Sequence, residues 1–390
     1  MATKAVYADQ AGNAPRAISG AGDLLQFAEL ETAAFCAEWD DLARDSAEPN
    51  VFYERWYLLP SLRYFGKDTQ MFAPRVNGQL IGLMPFSHQG QYGRWPVPNV
   101  QNWLHPNLFL GTPLVRSGHE RIFWQLLLAQ FDAQPGKAMF LHINGMTSDG
   151  ALAAALADIC GDGRRFAEVD HSDRAFLQSP MNAAEYYAAN MRGKKRKELR
   201  RQKNRLEDEG ELAVMRSDGS VGLSDWVNEF LALEQAGWKG REGSALSCNA
   251  DTQRMFADTL SGAAAQGKLQ LLDLRIDGRP LAMLVNFISA PGCFSFKTAF
   301  DESFSRYSPG VLLQIENLAL LENPDVEWCD SCAAEGHPMI DSIWSDRRRI
   351  GRFSIAIGGA ARRIAFGQYL NIELARARKR EAVVKQGEAV

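Results

Sequence analysis

The residues best suited to chemistry stand at a single helix start, Ser308-Pro309-Gly310. Ser is a favoured N-cap residue and Pro a favoured first helical residue, so this tripeptide predicts a helix that begins at Pro309. The first amides of a helix have no intrahelical acceptor, and the helix dipole adds partial positive charge there. Such a start can hold a pyrophosphate. The sequence therefore predicts an anion-binding site around Gly310.

A second source of positive charge is the segment from Met191 to Gly210, which is predicted to be a helix with basic residues almost all round it. Leu199 and Leu206 are its obvious inward anchors. One interpretation is a solvated helix with a thin apolar stripe. The other is an electrostatic platform for phosphates on a cofactor, an activated sugar, RNA or a membrane, although RNA is disfavoured because no aromatic residues interleave. The basic residues are Arg192, Lys194, Lys195, Arg196, Lys197, Arg200, Arg201, Lys203 and Arg205.

Four titratable residues are suited to act on a substrate. Lys297 and Asp301 stand four apart in an extended segment, so they project from one face, either into a cleft or as a surface ion pair. Glu234 lies on a helix just before the glycine-containing loop from Trp238 to Leu246, which either borders a site or covers a buried tryptophan. His337 stands between a glycine and a proline, and its ordinary pKa suits a general base; a structural histidine is the competing interpretation.

Cysteine usage gives no evidence for a metal or disulfide framework. Cys329 and Cys332 form a C-x-x-C, but no helical cap follows it, and one pair cannot complete a zinc site. Six cysteines spread over 390 residues do not make a disulfide scaffold. We therefore expect chemistry without a metal.

Two hairpins identify the framework that must position these residues. Asn77-Gly78 and Asp277-Gly278 each separate two alternating apolar runs. Each hairpin is followed by an extended stretch, a helix and a strand: Gly118 to Phe131 and Ala138 to Ile143 in the first case, Val311 to Leu321 and Val326 to Asp330 in the second. The recurrence predicts two copies of one α/β unit, with chance repetition as the alternative.

Composition fits an ordinary globular chain. With 46% hydrophobic and 23% charged residues it can bury a substantial core, and a net charge of -4 argues against a general nucleic-acid binder. No apolar run approaches the roughly 20 residues of a membrane span, and the N-terminus lacks the apolar core of a signal peptide, so a cytoplasmic location is expected. The predicted organisation is a loose arm over 1–22, a first unit over 23–175, a second over 176–345 and a basic tail over 346–390.

Four segments, taken in order, resemble the CelD/BcsL family of GNAT acyltransferases. They are GKKRKELRRQKNRLEDEGEL, WKGREGSAL, FKTAFDESFSRYSPGVLLQIENL and DSCAAEGHPMIDSIWSDRRRI. These motifs cover about residues 180 to 350, and the repeat extends a FemAB-like double-GNAT architecture over residues 25 to 175. The resemblance implies an α/β (α+β) fold with a mixed sheet in each of two tandem GNAT-like units. It also implies that the second unit binds acyl-CoA and transfers the acyl group to a primary amine.

The resemblance assigns roles to individual residues. His337 or Glu234 would accept the proton, and Lys297 with Asp301 would orient the acceptor. The chain lacks the GNAT pattern Q/R-x-x-G-x-G/A, so basic side chains such as Arg196 and Lys203 would help to bind the pyrophosphate. The first unit has Gly111-Thr112-Pro113 in place of the Ser-Pro-Gly turn, so we expect it to shape the acceptor cleft without binding CoA. The residues placed at the pyrophosphate turn are Tyr307, Ser308, Pro309, Gly310 and Val311.

Members of the family that this chain resembles are associated with envelope polysaccharide or lipid assembly, so the resemblance implies two principal candidates for the acceptor. One is a sphingoid-type long-chain base, giving a ceramide-like product; the other is an amino sugar of an envelope polysaccharide. The tail mixes arginines with apolar residues, which favours contact with the inner face of an anionic membrane, unless the tail packs back on the core. The aromatic residues Trp95, Trp103, Phe109, Trp124 and Trp344 either line an apolar cleft or fill two cores.

Two further readings remain open. One is a FemAB-type transferase that uses aminoacyl-tRNA. The other is a regulated module in which Arg348 and Arg352 form part of a nucleotide-sensing surface. CoA and tRNA binding distinguish the transferase readings directly. We otherwise expect no nucleic-acid partner.

Overall fold

The computed structural model describes residues 5–6, 17–18, 22–161 and 163–387. It divides into two compact units: one takes the described residues up to Leu62, Gly66–Ser172 and those from Arg349 on, and the other takes Arg63–Phe65 and Asp173–Arg348. The predicted loose arm lies outside the described residues, apart from two short paired strands and residue 22. These strands are β1 (Ala5–Val6) and β2 (Ala17–Ile18).

The first unit takes its elements from both ends of the chain. Asn77 and Gly78 have φ angles of 51° and 82°, so the first predicted hairpin turn is confirmed. The elements up to the end of β10 are β3 (Gly22–Leu25), α1 (Phe27–Leu30), α2 (Ala33–Arg44), α3 (Arg55–Phe65), β4 (Gln70–Val76), β5 (Gln79–Leu80), β6 (Gly82–Gln89), β7 (Asn99–Asn102), β8 (Leu114–Val115), α4 (Glu120–Ala133), β9 (Phe140–Thr147), α5 (Ala151–Cys160) and β10 (Phe166–Leu177).

The second unit contains the other hairpin. Asp277 and Gly278 have φ angles of 47° and 78°, as that turn requires. Its elements are α6 (Ala183–Asn190), α7 (Gly193–Glu207), β11 (Leu212–Ser217), α8 (Leu223–Ala236), α9 (Trp238–Arg241), α10 (Ala250–Ala265), β12 (Leu269–Ile276), β13 (Arg279–Ser289), β14 (Gly292–Phe300), α11 (Pro309–Glu316) and β15 (Trp328–Asp330). The chain continues through β16 (Asp346–Ala356) and α12 (Ala360–Gly387).

The two units have the same succession of strands. In the first unit β3, β4, β6 and β7 pair antiparallel in that order, β7 pairs parallel with β9, and β16 pairs antiparallel with β9. In the second unit β11, β12, β13 and β14 pair antiparallel, and β14 pairs parallel with β15. The part of β10 from Asp173 on belongs to this unit and pairs antiparallel with β15. A helix lies between the parallel strands in the sequence of each unit: α4 in the first, α11 in the second. The fold is therefore mixed α/β and duplicated, as predicted.

Several local predictions were wrong. The stretch before Ser308 is not extended, because Glu302–Tyr307 form a 3₁₀ helix that Asp301 caps. The sequence Trp238–Arg241 is a short helix, and Trp238 is 47% exposed, so it is not a buried tryptophan under a loop. The edge strand β11 and the long strand β10 were missed. β11 is short and half-exposed, and β10 is rich in polar residues, so neither shows the apolar run or strict alternation that predicts a strand.

The C-terminal segment is part of the fold of the first unit. Phe366 and Leu370 are buried with Phe140, Val169 and Ala356. Two of its arginines make internal contacts: Arg362 donates to the Gly136 carbonyl, and Arg363 pairs with Asp132 at 2.7 Å. The apolar residues that favoured membrane contact are thus largely used in a core, although Ile364 and Ile372 stay exposed. The tail-based argument for membrane binding therefore loses most of its support.

Two of the tryptophans that the sequence placed either in a cleft or in a core lie in cores. Trp124 is fully buried in the first unit, and its indole N–H donates to the Leu152 carbonyl at 2.8 Å. Trp344 is fully buried in the second unit.

Of the helices in the described part of the chain, none combines the length and apolarity needed to cross a bilayer.

Candidate functional site

The start of α11 has the geometry of an anion-binding turn. Ser308 occupies the N-cap position with φ 54° and ψ 50°, and its side chain makes no capping hydrogen bond. Its carbonyl accepts the Leu312 N–H at 3.0 Å, which begins the helix. The amides of Gly310 and Val311 therefore occupy the first turn, where no intrahelical acceptor exists. The predicted helix start is confirmed. Tyr307 was also placed at the pyrophosphate turn, but its hydroxyl donates to Glu209, so this residue anchors the turn.

Gly310 lies close to two neighbouring elements. A Cβ placed on it would lie 3.0 Å from Met339 Sδ and 3.3 Å from Phe300 Cδ1. Phe300 ends β14, and Met339 belongs to the loop that follows β15. The first turn of α11 is consequently bordered by the end of β14 and by the loop that carries His337.

Buried amides fix α11 against the sheet. Asn286 Nδ2 of β13 donates to Asn317 Oδ1 at 2.7 Å, directly after the helix. Asn317 Nδ2 donates to Gln314 Oε1, and Gln314 Nε2 donates to Thr298 Oγ1, each at 3.3 Å. These polar contacts hold α11 over β13 and β14 in one position. The helix start therefore has a fixed direction relative to the sheet.

The sheet opens beside α11. Parallel pairing between β14 and β15 covers Gly292–Phe294 and Trp328–Asp330, and β14 continues beyond it to Phe300. Beyond Phe294 the strand stays paired with β13 but has no strand partner on the edge towards β15, so backbone amides and carbonyls on that edge can bind a ligand. A thioester could be held along this part of β14, with its phosphates towards the start of α11.

A cavity of about 500 Å³ lies between α7, α11 and the strands β11 and β12. Its inner wall is apolar and its rim is basic. The size is within the range of small-molecule sites. Both predicted basic residues, Arg196 and Lys203, line it. The apolar lining is Leu199, Leu212, Val214, Leu274, Leu312 and Ile315, and the basic lining is Arg196, Lys197, Arg200 and Lys203.

Two of the predicted catalytic residues influence one another. Burial, together with the charge of Lys239, lowers the pKa of Lys297 to about 8, while Glu234 opposes the shift. Glu234 is 4% exposed and accepts hydrogen bonds from Lys239 Nζ at 2.7 Å and from the Leu246 N–H at 2.8 Å. The structure thus brings Glu234 and Lys297 together and adds Lys239 of α9.

Asp301 has a mainly structural set of contacts. Its carboxylate accepts from the Ser303 N–H at 2.9 Å and from Ser303 Oγ at 2.6 Å, and it pairs with Arg279. Glu302, the next residue, holds α9 by accepting from the Trp238 N–H at 2.6 Å and from Arg241 Nη2 at 2.7 Å. We therefore give Asp301 no part in the chemistry proposed below.

His337 keeps a ring nitrogen available. Its Nδ1 is buried and has no hydrogen-bond partner among the described residues. A buried polar atom without a partner is uncommon in proteins and often marks a functional group. The loop of His337 also carries Met339, which borders Gly310. His337 is thus placed near the predicted pyrophosphate turn.

A buried ion cluster supports β15. Asp330 is fully buried and pairs with Arg174 at 2.6 Å and Arg348 at 3.0 Å. Burial alone would raise the pKa of Asp330, but the two guanidinium groups hold it below its usual value. Because Arg348 is 8% exposed and occupied in this way, it cannot belong to a nucleotide-sensing surface. Cys329 and Cys332 beside it are buried free thiols, not a disulfide.

No cluster of three or more His, Cys, Asp and Glu side chains suited to a metal ion occurs among the described residues. Metal-free chemistry stays a prediction. The sequence missed Lys239, Met339 and Asp330 as contributors to this region. None of the three carried a signal in the sequence: Lys239 contacts Glu234 across the break between α8 and α9, and Met339 and Asp330 act through contacts that depend on the fold.

Comparison with known proteins agrees with this geometry. Residues 193–338, from α7 to the His337 loop, match the acetyltransferase (GNAT) domain family. No curated protein matches the sequence significantly.

Solved structures share the fold of most of the chain at low identity. FemX has a TM-score of 0.56 and 12% identity, covering 82% of this chain and 95% of its own. A conserved protein of unknown function from Bacteroides thetaiotaomicron has a TM-score of 0.52 and 13% identity, covering 83% and 97%. The C-terminal domain of a protein named as a lysylphosphatidylglycerol synthetase of Agrobacterium fabrum has a TM-score of 0.50 and 14% identity, covering 87% and 96%. At these identities the likeness shows a common fold.

Proposed function

We propose that this protein is an acyl-CoA-dependent N-acyltransferase that acylates the primary amine of a sphingoid-type long-chain base, giving a ceramide-like product. The GNAT match over residues 193–338 supports acyl transfer from a CoA thioester. The observation that supports a long-chain acyl donor is the apolar cavity with a basic rim beside α11. An apolar wall suits an alkyl chain, and the rim suits the phosphates of CoA.

The donor is bound by this chain's own groups. The Gly310 and Val311 amides receive the pyrophosphate, assisted by Arg196 and Lys203 of α7. The acyl chain enters the apolar cavity, where each buried methylene contributes about 0.8 kcal/mol. The exposed backbone of β14 then holds the thioester carbonyl and polarises it through an N–H donor.

The attacking amine needs a group that accepts its proton. The amine attacks the carbonyl carbon, the C–S bond breaks, and CoA leaves as a thiolate that takes up a proton. Lys297, whose lowered pKa of about 8 makes a neutral amine accessible, and His337, with its unpartnered Nδ1, are the two groups that we propose accept the proton from the amine. Glu234 positions Lys239 and the loop that ends at Leu246.

Product analysis tests the proposal. Purified protein is incubated with labelled acyl-CoAs of increasing chain length, together with a sphingoid-type base or a UDP-amino sugar, and products are separated by mass. We expect N-acylation of the long-chain base with a long-chain donor. Acylation of the sugar alone would show that the acceptor is an amino sugar of an envelope polysaccharide and not a long-chain base. Binding of aminoacyl-tRNA without CoA binding would favour the FemAB-type reaction.

A matched pair of variants tests the cavity. Val214 lines it, whereas the next residue of β11, Met215, is 53% exposed. Val214→Trp fills part of the cavity, so the preferred donor should shorten; Met215→Trp should leave the preference unchanged. An unaltered chain-length profile in a folded Val214→Trp protein would show that the acyl chain binds elsewhere.

Membrane contact would follow from such an acceptor, because a long-chain base resides in a bilayer. We propose that the protein works at the inner face of the membrane. Sedimentation with vesicles that contain the base would measure this contact.

A further inference from the structure

A second cavity, of about 490 Å³, lies within the first unit. It is formed at β7 and β9, the parallel strands of that unit, together with α12 and the turn from Tyr92 to Trp95. The proposed acyl transfer uses none of its residues. Unlike the cavity beside α11, this one is lined mainly by polar, charged and aromatic side chains.

The floor of the cavity is uncharged and able to form hydrogen bonds. His142 is 2% exposed, and its Nδ1 lies 2.9 Å from Ser354 Oγ. Burial, followed by the charge of Arg352, lowers the pKa of His142 to about 3, so its ring is neutral at physiological pH. Asn144 Nδ2 donates to Gln101 Oε1 at 2.8 Å. The two N–H groups of the Gln101 side-chain amide have no hydrogen-bond acceptor among the described residues.

One wall is held firmly. Tyr92 and Trp95 exchange backbone hydrogen bonds of 2.9 and 3.0 Å across a tight turn. The Tyr92 hydroxyl donates to Glu373 Oε1 at 2.5 Å, and the Tyr92 ring meets His142 edge-on with centroids 4.9 Å apart. The site therefore has an ordered shape before any ligand arrives.

The rim carries an excess of positive charge. Arg94 and Arg376 lie over the Trp95 ring, at 5.5 and 4.8 Å from its centroid, and neither has a carboxylate within ion-pair distance among the described residues. Arg352 has one such partner, Asp170, at 3.4 Å. Three guanidinium groups thus line the cavity together with two carboxylates, those of Asp170 and Glu373, which leaves an excess of one positive charge. Guanidinium groups bind phosphate oxygens strongly and with directional hydrogen bonds.

We propose that this cavity binds the phosphate ester of a polyol, either a free sugar phosphate or the glycerophosphate headgroup of a lipid. The phosphate lies on Arg352 and Arg376, the hydroxyl groups bond to Gln101 and its neighbours on the floor, and Trp95 contacts the carbon side of the ligand. The polar lining disfavours an alkyl chain, and the arginine rim disfavours a cation. This site goes beyond the acyl transfer proposed above and does not depend on it.

Calorimetry with glycerol phosphate, a hexose phosphate and inorganic phosphate tests the proposal. We expect at least one of the two esters to bind more tightly than inorganic phosphate. Arg376→Gln should weaken ester binding at least about tenfold, as loss of a charged hydrogen bond does. Arg44→Gln, which changes an exposed arginine of the same unit that pairs with Asp41, is the matched control and should leave binding unchanged.

Two further measurements separate the parts of the ligand and its source. Gln101→Ala should weaken binding of the esters but not of inorganic phosphate. Retention on phosphatidylglycerol vesicles but not phosphatidylcholine vesicles, with competition by glycerol phosphate, would assign a lipid headgroup; ester binding without vesicle retention would assign a free sugar phosphate. The proposal is overturned if neither ester binds, if Arg376→Gln binds as well as the natural protein, or if inorganic phosphate binds as tightly as both esters.

Discussion

Replacing Lys297 with methionine should stabilise the protein while impairing acyl transfer. The pKa of Lys297 falls from its ordinary value of 10.5 to about 8 in the fold, chiefly through burial. Below pH 8 the lysine is protonated in both folded and unfolded chains, and the full penalty of burying the charge applies. Between pH 8 and 10.5 the folded chain releases the proton while the unfolded chain keeps it, so the penalty fades as pH rises. Above 10.5 it is absent.

The magnitude follows from the shift. At 1.36 kcal/mol for each pH unit, a difference of 2.5 units costs about 3 kcal/mol at pH 7 and about 1.4 kcal/mol at pH 9.5. Methionine fills a similar space without charge, so Lys297→Met should be more stable by up to these amounts. The gain should therefore shrink as pH rises.

Urea unfolding of both proteins at several pH values from 7 to 9.5 measures the difference. Lys194→Met, at an exposed position of α7, is the control and should show no pH-dependent gain. Acyl transfer by Lys297→Met should fall, and the rise in natural activity as pH passes about 8 should be lost. A stability difference that stays constant over this pH range would refute the idea that burial depresses the pKa of this lysine.

Three further outcomes are expected. Gly310→Asp should weaken acyl-CoA binding at least about tenfold, because it places a carboxylate at the positive end of α11. Gly310→Ala is the control and should bind nearly normally, because its methyl group meets the flexible Met339 side chain at 3.0 Å and the Phe300 ring at 3.3 Å. Calorimetry compares the two variants. Asp330→Asn should lower the free energy of unfolding by roughly 3 kcal/mol, measured in urea, because Arg174 and Arg348 then share a neutral partner in a buried place. Acyl transfer should persist in EDTA, and its loss, restored by a divalent metal, would contradict a metal-free reaction.

The framework was predictable because its signals are local. Asn77-Gly78 and Asp277-Gly278 both require left-handed backbone, and few other dipeptides supply it so readily, so the two turns could be recognised from sequence. The helix start at Pro309 rested on similar local chemistry. Leu199 and Leu206, predicted as the anchors of a highly charged helix, are 1% and 0% exposed.

The site could be predicted only in part. Lys297 attracted notice as a charged residue in a strand, but its lowered pKa depends on burial and on Lys239, which reaches it through the fold. From the sequence, Asp301 suited a role in orienting the acceptor as well as Lys297 did. Its contacts with Ser303 and Arg279, however, arise beside a 3₁₀ helix that no sequence pattern predicted. The second cavity joins residues from β7 with residues of α12, and such long-range pairing has no signal in a single sequence.

The amides of Asn286, Gln314 and Asn317 have a consequence for specificity of packing. Leucines alone would let α11 slide or turn on the sheet at little cost, since apolar contact has no direction. Hydrogen bonds between these side chains form in only one register. A shift of the helix would leave their donor and acceptor groups buried without partners. These polar side chains thus select one position of the helix on the sheet. The direction of its first-turn amides is therefore set by residues near its C-terminal end.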